Sequence, residues 1–334
     1  MPEAKALYYE EVKDGSLRCL LCPHHCRLKD GQVGLCRVRK NKNGVLVTSN
    51  YGEISSAALD PIEKKPLFHF YPGSAILSVG TFGCNLNCRF CQNYSIAHGD
   101  PPTECVLPES LVKMAEEARK GGSIGVAFTY NEPSVWYEYI REAAPMLKEK
   151  GLKTVLVSNG FIEENPLQEI LPFIDAANID VKSFNEDFYR QICRGRLEPV
   201  LKAVEKMAEK IHVEVTTLLI PGKNDSSDEI RELCRWLAGL DESIPLHLNR
   251  YHPAYKMLDI PATPADTLYR ARDLAEEYLN FVYIGNLAGE ENSTRCPVCG
   301  NVLIVRNYFH VNVCGIKNRQ CTRCGSKVDF IKMD

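Results

Sequence analysis

Between residues 75 and 286, short runs of apolar and often β-branched residues alternate with longer stretches whose apolar positions recur every three or four residues. The runs AILSVGT (75–81), IGVAFTY (124–130), KTVLVSN (153–159), AANIDVKS (176–183), VEVTTLLIP (213–221) and PLHLNRY (245–251) read as strands. Between them PESLVKMAEEARKGG, EPSVWYEYIREAAPMLKEKG, NPLQEILPFI, two shorter stretches near 185–210, and SSDEIRELCRWLAGL read as helices. The first opens on Pro and stops on Gly; in the last, Ser226 or Ser227 is placed to cap and Glu229 lies in the first turn. Such alternation implies parallel strands joined by right-handed crossovers, hence an α/β core, either a partly closed βα barrel or an open doubly wound sheet.

Polar strand ends favour the barrel. GTFGCN, TYNEP, SNG, DVKS, IPGKND and NRYHP each follow a strand. One exposed loop would be polar anyway, but six with amide, carboxylate, Lys and His content suggest one shared site at the C-terminal ends of the strands. The pattern divides the chain into 1–72, a Cys-rich segment ending in DPIEKKPLFHFYPG, read as an ordered loop entering the barrel; 73–290, the core; and 291–334, a compact Cys module with seven basic residues against three acids.

Charge changes the picture little: 40 basic and 43 acidic residues give a net −3, which offers no global field for nucleic acid or an anionic membrane. Neither a signal-peptide pattern nor an apolar run of about 20 residues is present, so a cytoplasmic protein without a membrane span is expected.

Fifteen cysteines in 334 residues change it a great deal, because reducing cytosol favours ligation over disulfides. Eleven form three groups: Cys19, Cys22, Cys26 and Cys36; Cys84, Cys88 and Cys91; and Cys296, Cys299, Cys321 and Cys324. Cys105, Cys193 and Cys234 read as small apolar residues, and Cys314 as a spectator of the last group. The first group has four thiols, enough to close a zinc site or hold an auxiliary iron–sulfur cluster; His24 and His25 beside it read as turn residues. The last, CPVCG and CTRCG, reads as a zinc ribbon or rubredoxin-like site whose folding leans on its metal. The middle group, C-x3-C-x2-C, has only three. Either Cys105 or His98 completes a zinc site, or one metal position stays open for a substrate or cosubstrate.

CNLNCRFC, with Phe90 before its last cysteine, resembles the cluster loop of the radical S-adenosylmethionine (SAM) superfamily. That resemblance implies a partial (β/α)6 TIM-like barrel and a 4Fe-4S cluster whose unique iron binds SAM. It also implies one-electron cleavage of SAM to methionine and a 5′-deoxyadenosyl radical that abstracts hydrogen from a substrate. TYNEP resembles the segment that holds the SAM amino group, offering Asn131 and Glu132, with Thr129 and Tyr130 in place of the usual glycines. SNG offers Ser158 and Asn159, DVK offers Asp180 and Lys182 to the SAM carboxylate or ribose, and IPGKND and NRYHP offer Asn224, Arg250, Tyr251 and His252. RCLLCPHHCRLKDGQVGLCRVR and LDPIEKKPLFHFYPG further resemble the radical SAM member of the AmmeMemoRadiSam system, related to pyruvate formate-lyase activating enzyme. Implied partners are SAM, an electron donor such as flavodoxin or ferredoxin, and AMMECR1-type or Memo-type proteins. The implied function is hydrogen abstraction from an unidentified substrate. The alternatives are activation of a glycyl radical protein and, in another class, a metal-binding module docking on RNA or an acidic protein.

Overall fold

The computed structural model describes residues 3–307 and 309–333. Its centre is an eight-stranded sheet: β1 (Ser56–Pro61), β2 (Ala75–Gly80), β3 (Ser123–Phe128), β4 (Lys153–Ser158), β5 (Ala176–Asp180), β6 (His212–Leu219), β7 (Leu246–Arg250) and β8 (Val282–Gly285). The strands lie in chain order; β1 runs antiparallel to β2, and all other neighbours are parallel. The six strands expected from periodicity are β2 to β7. Those six core strands do not include β1, which continues the β-like run GVLVTSNYGEISSAAL (44–59) of the first segment and whose middle is exposed on an edge (Ala57, Ala58 and Leu59), or β8, a run of only four residues.

Crossover helices cover the sheet: α1 (Pro108–Ala118), α2 (Tyr137–Glu149), α3 (Glu164–Ile170), α4 (Leu197–Ala208), α5 (Ser227–Leu240) and α6 (Ala265–Ala275). Pro108 does open α1, and Gly122 takes φ 80° just beyond its end. Ser226 caps α5 by accepting from Glu229 N. Glu229 does not close a capping box; its carboxylate reaches over to the Ser183 hydroxyl and to Phe184 N (2.9 Å), pinning the loop after β5.

The DPIEKKPLFHFYPG loop runs against the polar face of the sheet. Asn178 of β5 donates to Pro66 O (2.8 Å), and Glu214 of β6 accepts from Phe68 N (2.9 Å) and His69 N (2.7 Å). Glu214 also meets His212 (3.0 Å) and His247 (2.7 Å). Burial would push its carboxyl up, yet those two rings hold it well below its ordinary value. A depressed carboxylate contributes stability that is present above the unfolded value near 4.5 and lost as pH falls below it. Glu214→Ala is therefore expected to destabilise the fold by about 3–5 kcal/mol at neutral pH. Urea midpoints of variant and parent should converge in acid.

The C-terminal module seals the same end. It holds a three-stranded sheet (Thr294–Arg295, Val302–Asn307 and His310–Val313) and the short hairpin Ile316–Lys317 with Gln320–Cys321. Buried Arg306 donates to Phe68 O and, at 2.7 Å, to Thr294 Oγ1, and its guanidinium lies 4.5 Å over the Phe68 ring. Lys332 N bonds His69 O at 2.7 Å. At the other terminus, two small sheets carry the first cysteine group and are anchored to α2 by a buried Arg39–Glu138 ion pair. Among the described residues no helix is long and apolar enough to cross a membrane.

Candidate functional site

Parallel strands deliver their C-terminal ends to one side of the sheet, and a cavity of about 240 Å³ lies there. Cys84, Cys88, Phe90 and Cys91, which follow β2, line it together with Asn131 and Glu132 after β3, Ser158 and Asn159 at the end of β4, and Asp180 and Lys182 of β5 and its loop. These ten positions, far apart in sequence, share one wall because each sits at or just past a strand end.

The cysteine loop is held by side chains from its neighbours. Asn131 accepts from Thr81 N (3.1 Å) and donates to Gly83 O (2.9 Å). Asn159 Nδ2 bonds Asn85 Oδ1 (2.9 Å) and points at Cys84 Sγ (3.7 Å). Glu132, 2% exposed, accepts from Ser134 N (2.9 Å), Ser158 Oγ (2.7 Å) and Asn159 N (2.8 Å). Burial raises its carboxyl above the ordinary value against those three donors. Its carboxylate ties the ends of β3 and β4 together.

The thiols differ in their surroundings. Burial pushes Cys84 well up and Cys91 up to about 11. Cys88 is lowered, first by a hydrogen bond from the Cys193 thiol. Lys182 pairs with Asp180 at 2.7 Å; burial pulls its ammonium down, but Asp180 and the Cys88 sulfur raise it well above the ordinary value.

Four expected residues lie outside the cavity. Asn224 is a buried turn clamp, donating to Lys182 O (2.7 Å) and Leu218 O (2.9 Å) and accepting from Ile220 N. Arg250 donates to Thr263 O (2.8 Å), and His252 is exposed. Tyr251 is buried against Thr263 and Met257. Strand alternation explains the error: Leu246 and Leu248 face the core, so Asn249 faces the cavity and Arg250 turns away. Gly285 beside Asn249 leaves room for it, since a Cβ there would strike its amide.

Sequence reasoning also missed Thr216, Asn286 and Asn93 in the lining; Cys193, read as a small apolar residue, is buried in the hydrophobic core as expected and its thiol also meets Cys88. His98 lines the cavity with its ring stacked on Tyr255, whereas Cys105 is exposed on a short strand pairing with Glu53–Ile54. Tyr130 is the most unusual neighbour. Its backbone takes φ 72°, an uncommon value for a non-glycine residue. Gly80 opposite permits it, because a Cβ there would lie 2.7 Å from Thr129 O and 3.0 Å from Tyr130 Cβ. The phenol donates to Asp60 (2.8 Å), which also binds Lys65 (2.9 Å); burial and Asp60 push it up to about 12.

Donor chemistry is consistent with ligation at two places. The four sulfurs of Cys296, Cys299, Cys321 and Cys324 lie within 4.8 Å of one another, the single such group among the described residues, and could hold one metal ion. Stripping that ion with a chelator is expected to melt the module, since its core has only six buried apolar residues. Hydrogen exchange over Val302–Asn307 should then lose protection. Cys84, Cys88 and Cys91 face one cavity without their sulfurs all gathering within 4.8 Å of one another as the C-terminal four do.

Residues 78–237 match the Radical SAM superfamily model. An uncharacterized protein of Methanocaldococcus jannaschii is 43% identical over 98% of this chain and 99% of its own length. Pyruvate formate-lyase 1-activating enzyme of Escherichia coli strain K12 is 23% identical over 59% of this chain and 86% of its length. The structure of Streptococcus suis SuiB bound to precursor peptide SuiA shares the fold at a TM-score of 0.51 with 16% identity, covering 67% of this chain and 51% of SuiB. The superfamily implies a 4Fe-4S cluster and SAM, and cleavage of SAM is its general reaction. The match from β2 through most of α5 and the homology to an activating enzyme lead to one conclusion: the chain is an enzyme that carries a Radical SAM superfamily domain over residues 78–237.

Proposed function

We propose that the cavity holds a 4Fe-4S cluster on Cys84, Cys88 and Cys91 and SAM against the ends of β3 to β5, and that hydrogen is abstracted there from a substrate not yet identified. One observation carries this reading: three thiols, and no fourth from their own loop, face the same cavity as the polar ends of the following strands. When bound, the cluster supplies the electron that splits SAM into methionine and a radical able to take a hydrogen atom.

The chain's own residues do the rest. Phe90 packs near Phe188 (6.0 Å between centroids) behind the loop, Asn131 fixes the loop backbone, Asn159 holds the Asn85 side chain and points at Cys84, and Glu132 with Ser158 sets the β3–β4 ends. Lys182, held protonated by Asp180, offers a cation to a carboxylate ligand. Asn224, Arg250 and His252 are left out of this set because of where they lie. Lining residues that run from β2 around to Asn286 past β8 support a sheet curled into a partial barrel. The segments 1–72, 73–290 and 291–334 remain the proposed units, the last carrying zinc.

In the first group, Cys26 and Cys36 sulfurs both approach Gly34, within 3.7 Å of where its Cβ would stand, and Arg39 donates to Cys19 Sγ at 3.6 Å. That group is not drawn into a single-ion shell as the C-terminal four are, which favours an auxiliary cluster over zinc. Likeness to an activating enzyme supports activation of a glycyl radical protein as a second reading; AMMECR1-type or Memo-type partners rest on the sequence resemblance.

Incubation with SAM, dithionite and deuterated cell extract tests the reaction. Deuterium is expected in 5′-deoxyadenosine when the small-molecule fraction is supplied. Transfer from the protein fraction alone supports the activator reading, and none from either contradicts hydrogen abstraction.

A further inference from the structure

Each of the three thiols on the cavity wall has a donor beside it, and at Cys88 the side chain that supplies one is another thiol. Leu86 N and Asn159 Nδ2 face Cys84, Asn93 N reaches Cys91, and Cys193 meets Cys88. Cys193 is fully buried in the apolar core. Ala or Val would serve packing there, so what cysteine adds is an S–H.

The backbone places that S–H. Cys193 ends a π-helix, Tyr189–Cys193, and the next residue, Arg194, takes φ 62°; such wide turns recur at functional sites. The turn lies against the cysteine loop on both sides of Cys88: Asn87 N donates to Cys193 O (2.8 Å) and Arg89 N to Ile192 O (3.1 Å). Gly195 permits this approach, since a Cβ there would stand 2.5 Å from Leu86 Cδ2. Residues 88 and 193 are thereby held in one register.

The other acceptors near the thiol are taken. A helical side chain of this size can turn back to the carbonyl four residues earlier, here Tyr189 O. That oxygen already accepts from Arg194 N and, at 3.0 Å, from Gly195 N, which fills both of its lone pairs. Ile192 O and Cys193 O are engaged by the loop N–H groups. The Cys88 sulfur is the acceptor that the side chain meets.

We propose that Cys193 is a positioning residue whose S–H donates to the Cys88 sulfur and raises the reduction potential of the iron–sulfur group that the three thiols hold. This rests on the proposed function, which puts such a group on Cys88. Reduction adds one negative charge, shared in part by the ligand sulfurs, so a donor aimed at one of them stabilises the reduced state more than the oxidised one. The low dielectric of a buried site strengthens that bias. No proton moves and no bond forms; the donor changes only how readily one electron is accepted.

The test removes the donor with and without its volume. Parent, Cys193→Ala, Cys193→Val and Cys193→Ser proteins are reconstituted and their iron and sulfide measured. Midpoint potentials are then read by redox titration, following the electron paramagnetic resonance signal that Cys84→Ala removes. The Ala and Val variants are expected at more negative midpoints, the reduced-to-oxidised ratio at the parent's midpoint falling about threefold, as loss of one weak hydrogen bond implies. The Ser variant, which keeps a donor, should stay near the parent. Three results overturn the proposal: an unchanged midpoint in both the Ala and Val variants, a shift in the Ser variant as large as in the Ala variant, or loss of iron from all three, which a packing role gives. A parent protein with no signal that Cys84→Ala removes contradicts the proposed function instead, and is recognised before any Cys193 variant is compared.

Discussion

Cys84→Ala is expected to abolish iron binding at the β2 loop and to lower SAM cleavage by more than about a hundredfold. Partners that merely orient a ligand typically contribute about 10–100-fold, and Cys84 is itself one of only three thiols on the cavity wall. The loop around it is already fixed. Leu86 N points at its sulfur (3.4 Å), Asn159 Nδ2 stands 3.7 Å away, and Asn131 binds Gly83 O. Removing the sulfur therefore leaves a formed but two-thiol site. Iron and sulfide analysis should show the loss, while the thermal midpoint should move little, because the backbone clamps do not involve the sulfur. Asn159→Ala should give the milder, orienting effect of about 10–100-fold with the three thiols intact.

Glu132→Ala is expected to have the largest combined effect on stability and activity. The substitution strands two backbone N–H groups and the Ser158 hydroxyl in a buried setting. Each unmet donor costs about 1–3 kcal/mol, so a loss of about 3–5 kcal/mol is expected in urea unfolding. The ends of β3 and β4 would then be free to separate, and with them Asn131, Ser158 and Asn159. KM for SAM should rise together with the stability loss. Glu132→Gln keeps the volume and one acceptor but turns an amide N–H towards a donor, so about 1–3 kcal/mol is expected there.

The sequence made the central units legible because buried parallel strands and amphipathic helices carry strong periodicities. The two edges were not placed in the core for different reasons: β1 is exposed through its middle and reads as part of the first segment, and β8 is too short to show a period. The site was legible where chemistry is local, as in the cysteine loop, TYNEP, SNG and DVK. It failed at NRYHP, where residues were chosen for their charge and not for the face that alternation assigns; Asn249 lines the cavity and Arg250 does not. The DPIEKKPLFHFYPG loop was expected to enter the barrel, but its role depends on Glu214, Asn178 and Arg306, from distant segments, and no local pattern encodes those contacts. Cys193 is the buried apolar residue it was read as, but its contact with Cys88 was hidden likewise, since only the π-turn brings the two together.

The most direct measurement is of SAM itself. Protein reconstituted anaerobically with iron and sulfide, then reduced with dithionite, should convert SAM to methionine and 5′-deoxyadenosine in equal amounts, and the Cys84→Ala protein should not. Intact SAM in the presence of a fully loaded cluster, or equal conversion by Cys84→Ala, would contradict the assignment of this cavity.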